Sequence, residues 1–411
     1  MIPSKYPLNW STQKVKYVAA LKSGDAITSE DISETGDYPV FGGNGLRGYT
    51  SSYNCDGDHP LIGRQGALCG NINFASGRFW ASEHAVVVTP KNKHHSRWLR
   101  DVLETMDLNQ YSQSAAQPGI SVEVIENLTI PVPPRAEQVA ISSYLDRERS
   151  RIDRLIAEKE RMLALLEEKR SALVSRVVTR GLDPNAPLKP SGLEWLGEIP
   201  EHWELRRTKF VSSRLDQGSS PVASNTPAAS GELGVLKLSA VSKGRFRREE
   251  NKALREIDEE EQLLALRKGD ILITRGNTPE LIADVAYVSE DEPSLLLPDL
   301  IYRLRIQEKE ILAEYLTAFL TTAAARVQIR RDARGSSGSM VKVSQDHVLD
   351  WLTPLPPLFE QEEIMNLLRS ADEGFQSVER EVSSSLTLLS ERRAALINAA
   401  VTGQIPLEEM K

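Results

Sequence analysis

The segment PPRAEQVAI, Pro133 to Ile141, returns as PPLFEQEEI, Pro356 to Ile364, 223 positions later. The register holds without a gap for about fifty residues, a span that chance does not produce. Pro131, Pro133, Pro134, Glu137, Gln138, Ile141 and Leu145 fall on identical Pro354, Pro356, Pro357, Glu360, Gln361, Ile364 and Leu368. Glu168, Arg170, Ala172, Leu173, Val178 and Thr179 fall on Glu391, Arg393, Ala395, Leu396, Val401 and Thr402. Upstream, Ile120–Ser121 falls on Val343–Ser344, and at a different offset Pro7, Trp10, Lys16 and Val18 echo Pro200, Trp203, Lys209 and Val211. The chain is therefore two repeats, each a proline–tryptophan lead-in, a variable body, a proline exit and a long shared segment.

The shared segment reads as a helix. Pro134 suits the first helical position, where its missing N–H costs nothing, and Glu137 suits the positive helix end. Arg176 and Arg180 occupy the last turn, Gly181 can take the left-handed cap and Pro184 stops continuation. Alternating steps of four and three visit Ile141, Leu145, Glu148, Ile152, Leu155, Lys159, Met162, Leu166, Lys169, Leu173 and Arg176. In the second copy they visit Ile364, Leu368, Ala371, Phe375, Val378, Val382, Ser385, Leu389, Arg392, Leu396 and Ala399. Each is a mostly apolar seam with charged flanks, as in a coiled coil. The simplest cover for one seam is the other copy, antiparallel if the intervening bodies lie at opposite ends. Polar seam positions such as Glu148, Lys159, Lys169, Ser385 and Arg392 are either solvated breaks or places where helices of a partner join. Helices of about 45 residues would run on the order of 65–70 Å.

The parts divide as a first body over 1–132, a first helix over 133–181, a proline-rich linker over 182–198, a second body over 199–355 and a second helix over 356–405. In the first body, short apolar runs such as HPLIGRQGAL and HAVVVTP are broken by Gly, Asn, Ser and Pro, which predicts short strands and loops, with a helix near Ser96–Met106. The second alternates GVLKLSAV, KGDILITRGN, ADVAYVSE and DLIYRLRI before a helix over Glu310–Arg331. Mixed α/β globules fit both, so the fold class is α/β: two mixed bodies separated by two long repeated helices.

Composition bounds the function. The chain has 411 residues, 40% of them hydrophobic, and a net charge of -8, which suits folded domains and argues against a uniform coat for nucleic acid. No apolar run of about 18 residues and no signal-peptide layout occur, so a cytoplasmic protein without a membrane partner is expected. Cys55 and Cys69 form no metal or redox motif, and His59, His84, His94, His95, His202 and His347 show no metal spacing, so no metal is expected.

Gly43, Gly45 and Gly48 in FGGNGLRG fit both a dinucleotide fingerprint and, with Phe41, an AdoMet pattern. The fingerprint needs a buried strand before it and a helix after it. TGDYP and YTSSYNCDGD supply neither. An Asn/Asp-Pro-Pro-aromatic methyltransferase motif and a Gly-Lys-Ser/Thr phosphate loop are also missing from the sequence. No catalytic residue and no bound cofactor are therefore expected in this chain.

The basic residues are more telling. Arg245, Arg247, Arg248, Arg275, Asn277, Arg330, Arg331 and Arg334 of the second body, and Asn44, Arg47, Arg64, Gln65, Gln113 and Gln117 of the first, stand in Gly- and Ser-rich loops. Arginine forks read guanine edges or clamp phosphate, and Asn or Gln reads adenine. Any one of them alone is a solvated side chain; two clusters on two repeated bodies favour a nucleic-acid face. Acid is concentrated elsewhere, so the negative total allows local basic clefts.

With these parts in order, IPVPPRAEQVAI, TPLPPLFEQEEI, LLEEKRSALVSRVVTRGLDP and GLEWLGEIPEHWE resemble the DNA-specificity subunit of type I restriction–modification systems. The resemblance spans essentially the whole chain and is strongest in the helices and linker. It implies two target recognition domains, each reading one half of a split double-stranded DNA site, and a central antiparallel coiled coil docking two methyltransferase subunits. Those subunits would bring AdoMet, and restriction subunits using ATP could join them. Glu137, Gln138, Glu360 and Gln361 are the expected partner-binding residues. The second helix departs from the pattern near Ser383–Ser385 and at its GQIPLEEMK end. One chain with two different bodies can read two unrelated sequences, whereas a homodimer is tied to a palindrome. The competing expectation is a coiled-coil scaffold whose bodies bind proteins and no DNA.

Overall fold

The structure, a computed structural model, describes residues 6–66, 68–112, 119–229, 231–254, 264–337 and 340–410. Two compact units emerge, one of Met1–Arg161 with Val382–Lys411 and one of Met162–Glu381. Both divisions fall inside the long helices, so each unit takes the start of one helix and the end of the other.

In the first unit, β1 (Ser11–Lys14), the single turn α1 (Val15–Val18) and β2 (Ala19–Ser23) precede β3 (Tyr38–Gly42), β4 (Gly45–Thr50), β5 (Cys55–Asp56), β6 (His59–Gly63), β7 (Ile72–Ala75), β8 (Arg78–Ala81) and β9 (Ala85–Pro90). The main sheet runs β2-β9-β6-β7, antiparallel throughout. β9 is central because its valines, buried on both faces, leave no side for water. A second sheet, β4-β3-β8-β5, contains one parallel pair, β3 with β8. The helix expected near Ser96–Met106 is α2 (Ser96–Glu104), which sets buried Trp98, Leu99, Val102 and Leu103 into the core. α3 (Val122–Asn127) starts at Ser121, whose Oγ accepts from Val124 N at 3.2 Å and so satisfies an otherwise orphaned donor. β10 (Thr129–Val132) pairs with β1 and leads into α4 (Arg135–Arg180).

The second unit repeats this plan. The linker carries a short hairpin, β11 (Leu188–Pro190) with β12 (Glu198–Pro200). Then follow β13 (Glu204–Arg207), α5 (Thr208–Val211), β14 (Ser212–Gln217), β15 (Gly234–Leu236), β16 (Val241–Ser242), β17 (Gly244–Phe246), β18 (Asn251–Ala253) and β19 (Ala265–Leu266). After them come β20 (Ile271–Thr274), β21 (Gly276–Asn277), β22 (Val285–Tyr287), β23 (Glu292–Leu296), β24 (Ile301–Ile306), α6 (Ala313–Leu320), α7 (Ala323–Asp332), β25 (Arg334–Ser337), β26 (Met340–Lys342), α8 (Gln345–Asp350), β27 (Leu352–Leu355) and α9 (Leu358–Val401). The order β14-β24-β20-β22 matches β2-β9-β6-β7, with β17 and β16 added beyond β22. The order β18-β15-β23-β19 matches β4-β3-β8-β5 and again holds one parallel pair. The single helix expected over Glu310–Arg331 is two helices: Thr322 Oγ1 accepts from Ala325 N at 3.2 Å and starts a second one.

The long helices pack on one another, antiparallel, inside each unit. In the first, Ile141 and Leu145 share a core with Ile397, Ala400 and Val401, and Arg393 Nη1 meets Asp153 Oδ1 at 3.0 Å. In the second, Val177 and Val178 share a core with Ile364, Met365 and Leu368, and Arg170 Nη2 meets Asp372 Oδ1 at 2.7 Å. The expected seam needs correction in its middle: Leu155, Met162 and Val378 are exposed. A straight helix drifts from a strict seven-residue repeat, so the apolar stripe rotates out of contact.

The doubled Glu-Gln has a structural use. Glu137 accepts from Asn9 Nδ2 at 2.6 Å and Trp10 Nε1 at 2.7 Å; Glu360 accepts from His202 Nε2 at 2.8 Å and Trp203 Nε1 at 3.0 Å. Gln138 takes His95 N on its carbonyl and gives its amide to Pro133 O, both at 2.9 Å. Gln361 does the same with Leu312 N and Pro356 O, both at 2.9 Å. Each pair thus ties the tryptophan lead-in and a body loop to the first turn of a long helix. Gln138 and Gln361 are buried with their amides turned into the chain, so the polar groups expected to face a partner are spent internally.

Candidate nucleic-acid face

In the first unit, the β3–β4 turn lies against the end of β6. A Cβ built on Gly63 would stand 2.1 Å from Gly43 O, and one on Gly43 would stand 3.4 Å from Gln65 O. Only glycine lets the two backbones approach this closely. Exposed Asn44 and Arg47 thereby join exposed Arg64 and Gln65. Asn44 Oδ1 accepts from Asn71 Nδ2 at 3.4 Å, and Gln65 bridges to Gly119. Gln113 and Gln117 lie outside the described residues. Leu46 and Leu68 are exposed beside the group.

In the second unit, β21, β26 and β25 form a small sheet in which Gly276 and Arg334 both face Lys342 and Asn277 faces Val341. It gathers Arg275, Asn277 and Arg334, with exposed Arg330 and Arg331 in the last turn of α7 just ahead of β25. Arg275 lies with its guanidinium 6.0 Å from the centre of the buried Tyr302 ring, a cation–π distance. Arg331 Nε bonds Asp332 Oδ1 at 3.1 Å. Arg245, Arg247 and Arg248 are not brought into this group. Arg245 Nη2 points to Asp372 Oδ1 on α9 at 3.6 Å, and Arg248 Nη2 to Glu292 Oε2 at 3.4 Å.

The two groups occupy equivalent places. Arg64 follows β6, Arg275 follows β20, and these are the same strand of the same sheet. Ile120 N donates to Arg64 O at 3.1 Å, and Val343 N donates to Arg275 O at 3.0 Å. Each of those donors precedes the serine that caps α3 or α8. Two features escaped the sequence reading. One is Lys342, at the centre of the small sheet. The other is a repeated lysine beside an exposed aromatic: Lys16 Nζ stands 5.6 Å from the Tyr17 ring, and Lys209 Nζ 5.5 Å from the Phe210 ring. The echo of Lys16 and Val18 in Lys209 and Val211 frames it, but the intervening aromatic changes identity.

Among the described residues no group of three or more His, Cys, Asp or Glu could hold a metal ion, and no helix is long and apolar enough to cross a membrane. Each unit thus holds an α/β body of the same plan with a basic strand end, packed on the start of one long helix and the end of the other. The family model described as "Type I restriction modification DNA specificity domain" matches residues 7–163. The type I restriction enzyme EcoprrI specificity subunit of Escherichia coli is 42% identical over 134 residues, 32% of this chain and 33% of that protein. The EcoKI specificity subunit of Escherichia coli strain K12 is 25% identical over 304 residues, 72% of this chain and 62% of that protein. Both matches span less than two thirds of the relative's own length. A solved chain from work on complex assembly and conformational transition of the type I R-M system superposes with a TM-score of 0.69 at 15% identity, covering 98% of this chain and 100% of that one. The chain is thus similar to specificity subunits of type I restriction–modification systems, through the matched domain at residues 7–163 and, at lower identity, over most of its length.

Proposed function

We propose that the chain reads a split double-stranded DNA site, one recognition domain per half, and serves as the non-catalytic subunit that brings two methyltransferase subunits to it. The observation that carries this is the equivalence of Arg64 and Arg275: one fold, used twice, presents an arginine at the same strand end among different loops. Bidentate arginine contacts discriminate bases by about 1–3 kcal/mol each, and differing surroundings allow two unrelated half-sequences. Asn44, Arg47, Gln65, Asn277, Arg330, Arg331 and Arg334 complete the two faces.

Docking is supported by a second equivalence. Leu155 and Val378 occupy the same place in the two helices and are both exposed, as are Leu165 and Leu388. Each unit therefore offers one leucine from the first helix and one apolar residue from the second. Repeated apolar patches suit two copies of one partner. AdoMet and ATP belong, in this reading, to methyltransferase and restriction subunits, because adenine must be flipped out of the duplex into a partner's pocket.

Exchange of residues 200–352 for another member's second body, followed by methylation mapping of the reconstituted enzyme, is expected to change one half-sequence and spare the other. Arg275→Ala should weaken binding through the same half by about 1–3 kcal/mol. A change in both halves, or methyl transfer by the isolated chain, would overturn the proposal.

A further inference from the structure

Each body meets its own long helix through one shared lock and two rows of charge. The shared lock is the glutamine: Gln138 receives His95 N just ahead of α2, and Gln361 receives Leu312 N just ahead of α6. Its backbone contacts are the same in both bodies, and the one difference is that Gln138 Nε2 also meets His94 Nδ1 at 2.9 Å where Gln361 Nε2 meets Glu310 O at 3.2 Å. The charges distinguish the two bodies. In the first unit, α2 sends Arg97 and Arg100 to Asp146 of α4 at 2.8 and 3.1 Å. In the second, α6 sends Glu314 to Arg369 of α9 at 3.2 Å, and Arg369 is the repeat counterpart of Asp146.

The next row is reversed as well. Arg149 of α4 faces Asp101 at 2.8 Å and Glu104 at 2.5 Å. Its repeat counterpart is Asp372 of α9, which faces Arg245 at 3.6 Å. Going along the helix, the first body presents plus then minus to a helix reading minus then plus, and the second body presents the opposite.

We propose that this reversal is an address: it makes the seat at the start of each long helix accept its own recognition domain and reject the other. A first body placed on α9 would set Arg97 and Arg100 against Arg369, and Asp101 and Glu104 against Asp372. A second body placed on α4 would set Glu314 against Asp146 and Arg245 against Arg149. Every charged contact becomes repulsive, and the fully buried Asp101 loses the Arg149 guanidinium that faces it. Two near-identical seats in one chain otherwise invite exchange within or between molecules, and repulsion in the wrong pairing is how proteins suppress it. The partner that fits either seat is thus any recognition domain of matching polarity, whichever DNA it reads.

The full chain tests this with Arg369→Asp and with Glu314→Arg/Arg369→Asp. The single change sets like charges together in the second unit and should lower its urea midpoint. The double change should restore the midpoint while giving both helices the same sign in the first row. Refolded from denaturant, the double variant should then yield less monomer than the parent, with mispaired oligomers that rise with chain concentration. A single variant that unfolds like the parent would overturn the inference. So would a double variant that stays as unstable as the single one, or one that refolds to the parent's yield of one species.

Discussion

Trp203→Ala is expected to lower the stability of the second unit by about 3–5 kcal/mol, the range for emptying a buried tryptophan site. Trp203 is fully buried in the unit's main core. Its ring stands where a Cβ on Gly181 would be 3.4 Å from Cζ2, and its Nε1 holds Glu360. Gly181 itself takes φ 74, the left-handed cap expected from the sequence. The side chain therefore ties the end of α4 to the start of α9, and its loss leaves a cavity together with a partly orphaned carboxylate. Trp10→Ala, at the counterpart only half-buried, should cost less. Urea unfolding followed by hydrogen exchange, which assigns protection to segments, would check both size and place. Uniform loss over both units would count against a local role.

Asp216→Ala should cost a similar amount, about 3–5 kcal/mol, by leaving a buried charge without its carboxylate. Arg303 is fully buried on β24; Nε and Nη2 donate to Asp216 Oδ2 at 3.2 and 2.8 Å, and Nη1 to Ala265 O at 2.8 Å. Burial pushes the Asp216 carboxyl up, but hydrogen bonds from Arg303 and Arg214 outweigh it and hold it below the usual carboxylate range. A depressed carboxyl contributes stability above about pH 4 and loses it as pH falls through that range. The variant should accordingly lose part of the acid sensitivity that the parent shows. Arg303 sits opposite Leu272 of β20, the strand that Arg275 follows. Under the proposed function, weakened binding of the second half-site, with the first unaffected, is the counterpart to measure.

The repeated helices, their caps and their pairing are legible because period and punctuation are local properties of the chain. The glutamine lock is legible only as a repeat: Glu-Gln at a helix start suggests an exposed contact, and only the fold shows both amides turned inward. The two α/β bodies resist reading for a different reason. Their common sheet order is assembled from strands of two to six residues, and loops of unequal length break the offset that carries the helices. Arg303 illustrates the cost of that. YRLRI alternates like a strand with one wet face, yet Tyr302, Arg303 and Leu304 are all buried. Val87 holds the place in the first body that Arg303 holds in the second, opposite Leu61 of β6 and Leu272 of β20 respectively. Arg245 reads from sequence like the other arginines of its loop, and only the packing shows it turned toward a helix carboxylate.

The division of both units inside the long helices bears on what a protease would leave behind. Asp183, Pro184 and Asn185 are exposed just past the α4 cap, and a cut there severs the polypeptide between its two repeats. Neither fragment is a finished unit: the N-terminal piece keeps the end of α4 that belongs to the second unit, and the C-terminal piece keeps the end of α9 that belongs to the first. The nicked protein is expected to elute as one particle and to part only under denaturant, with each fragment serving as the other's missing template for refolding.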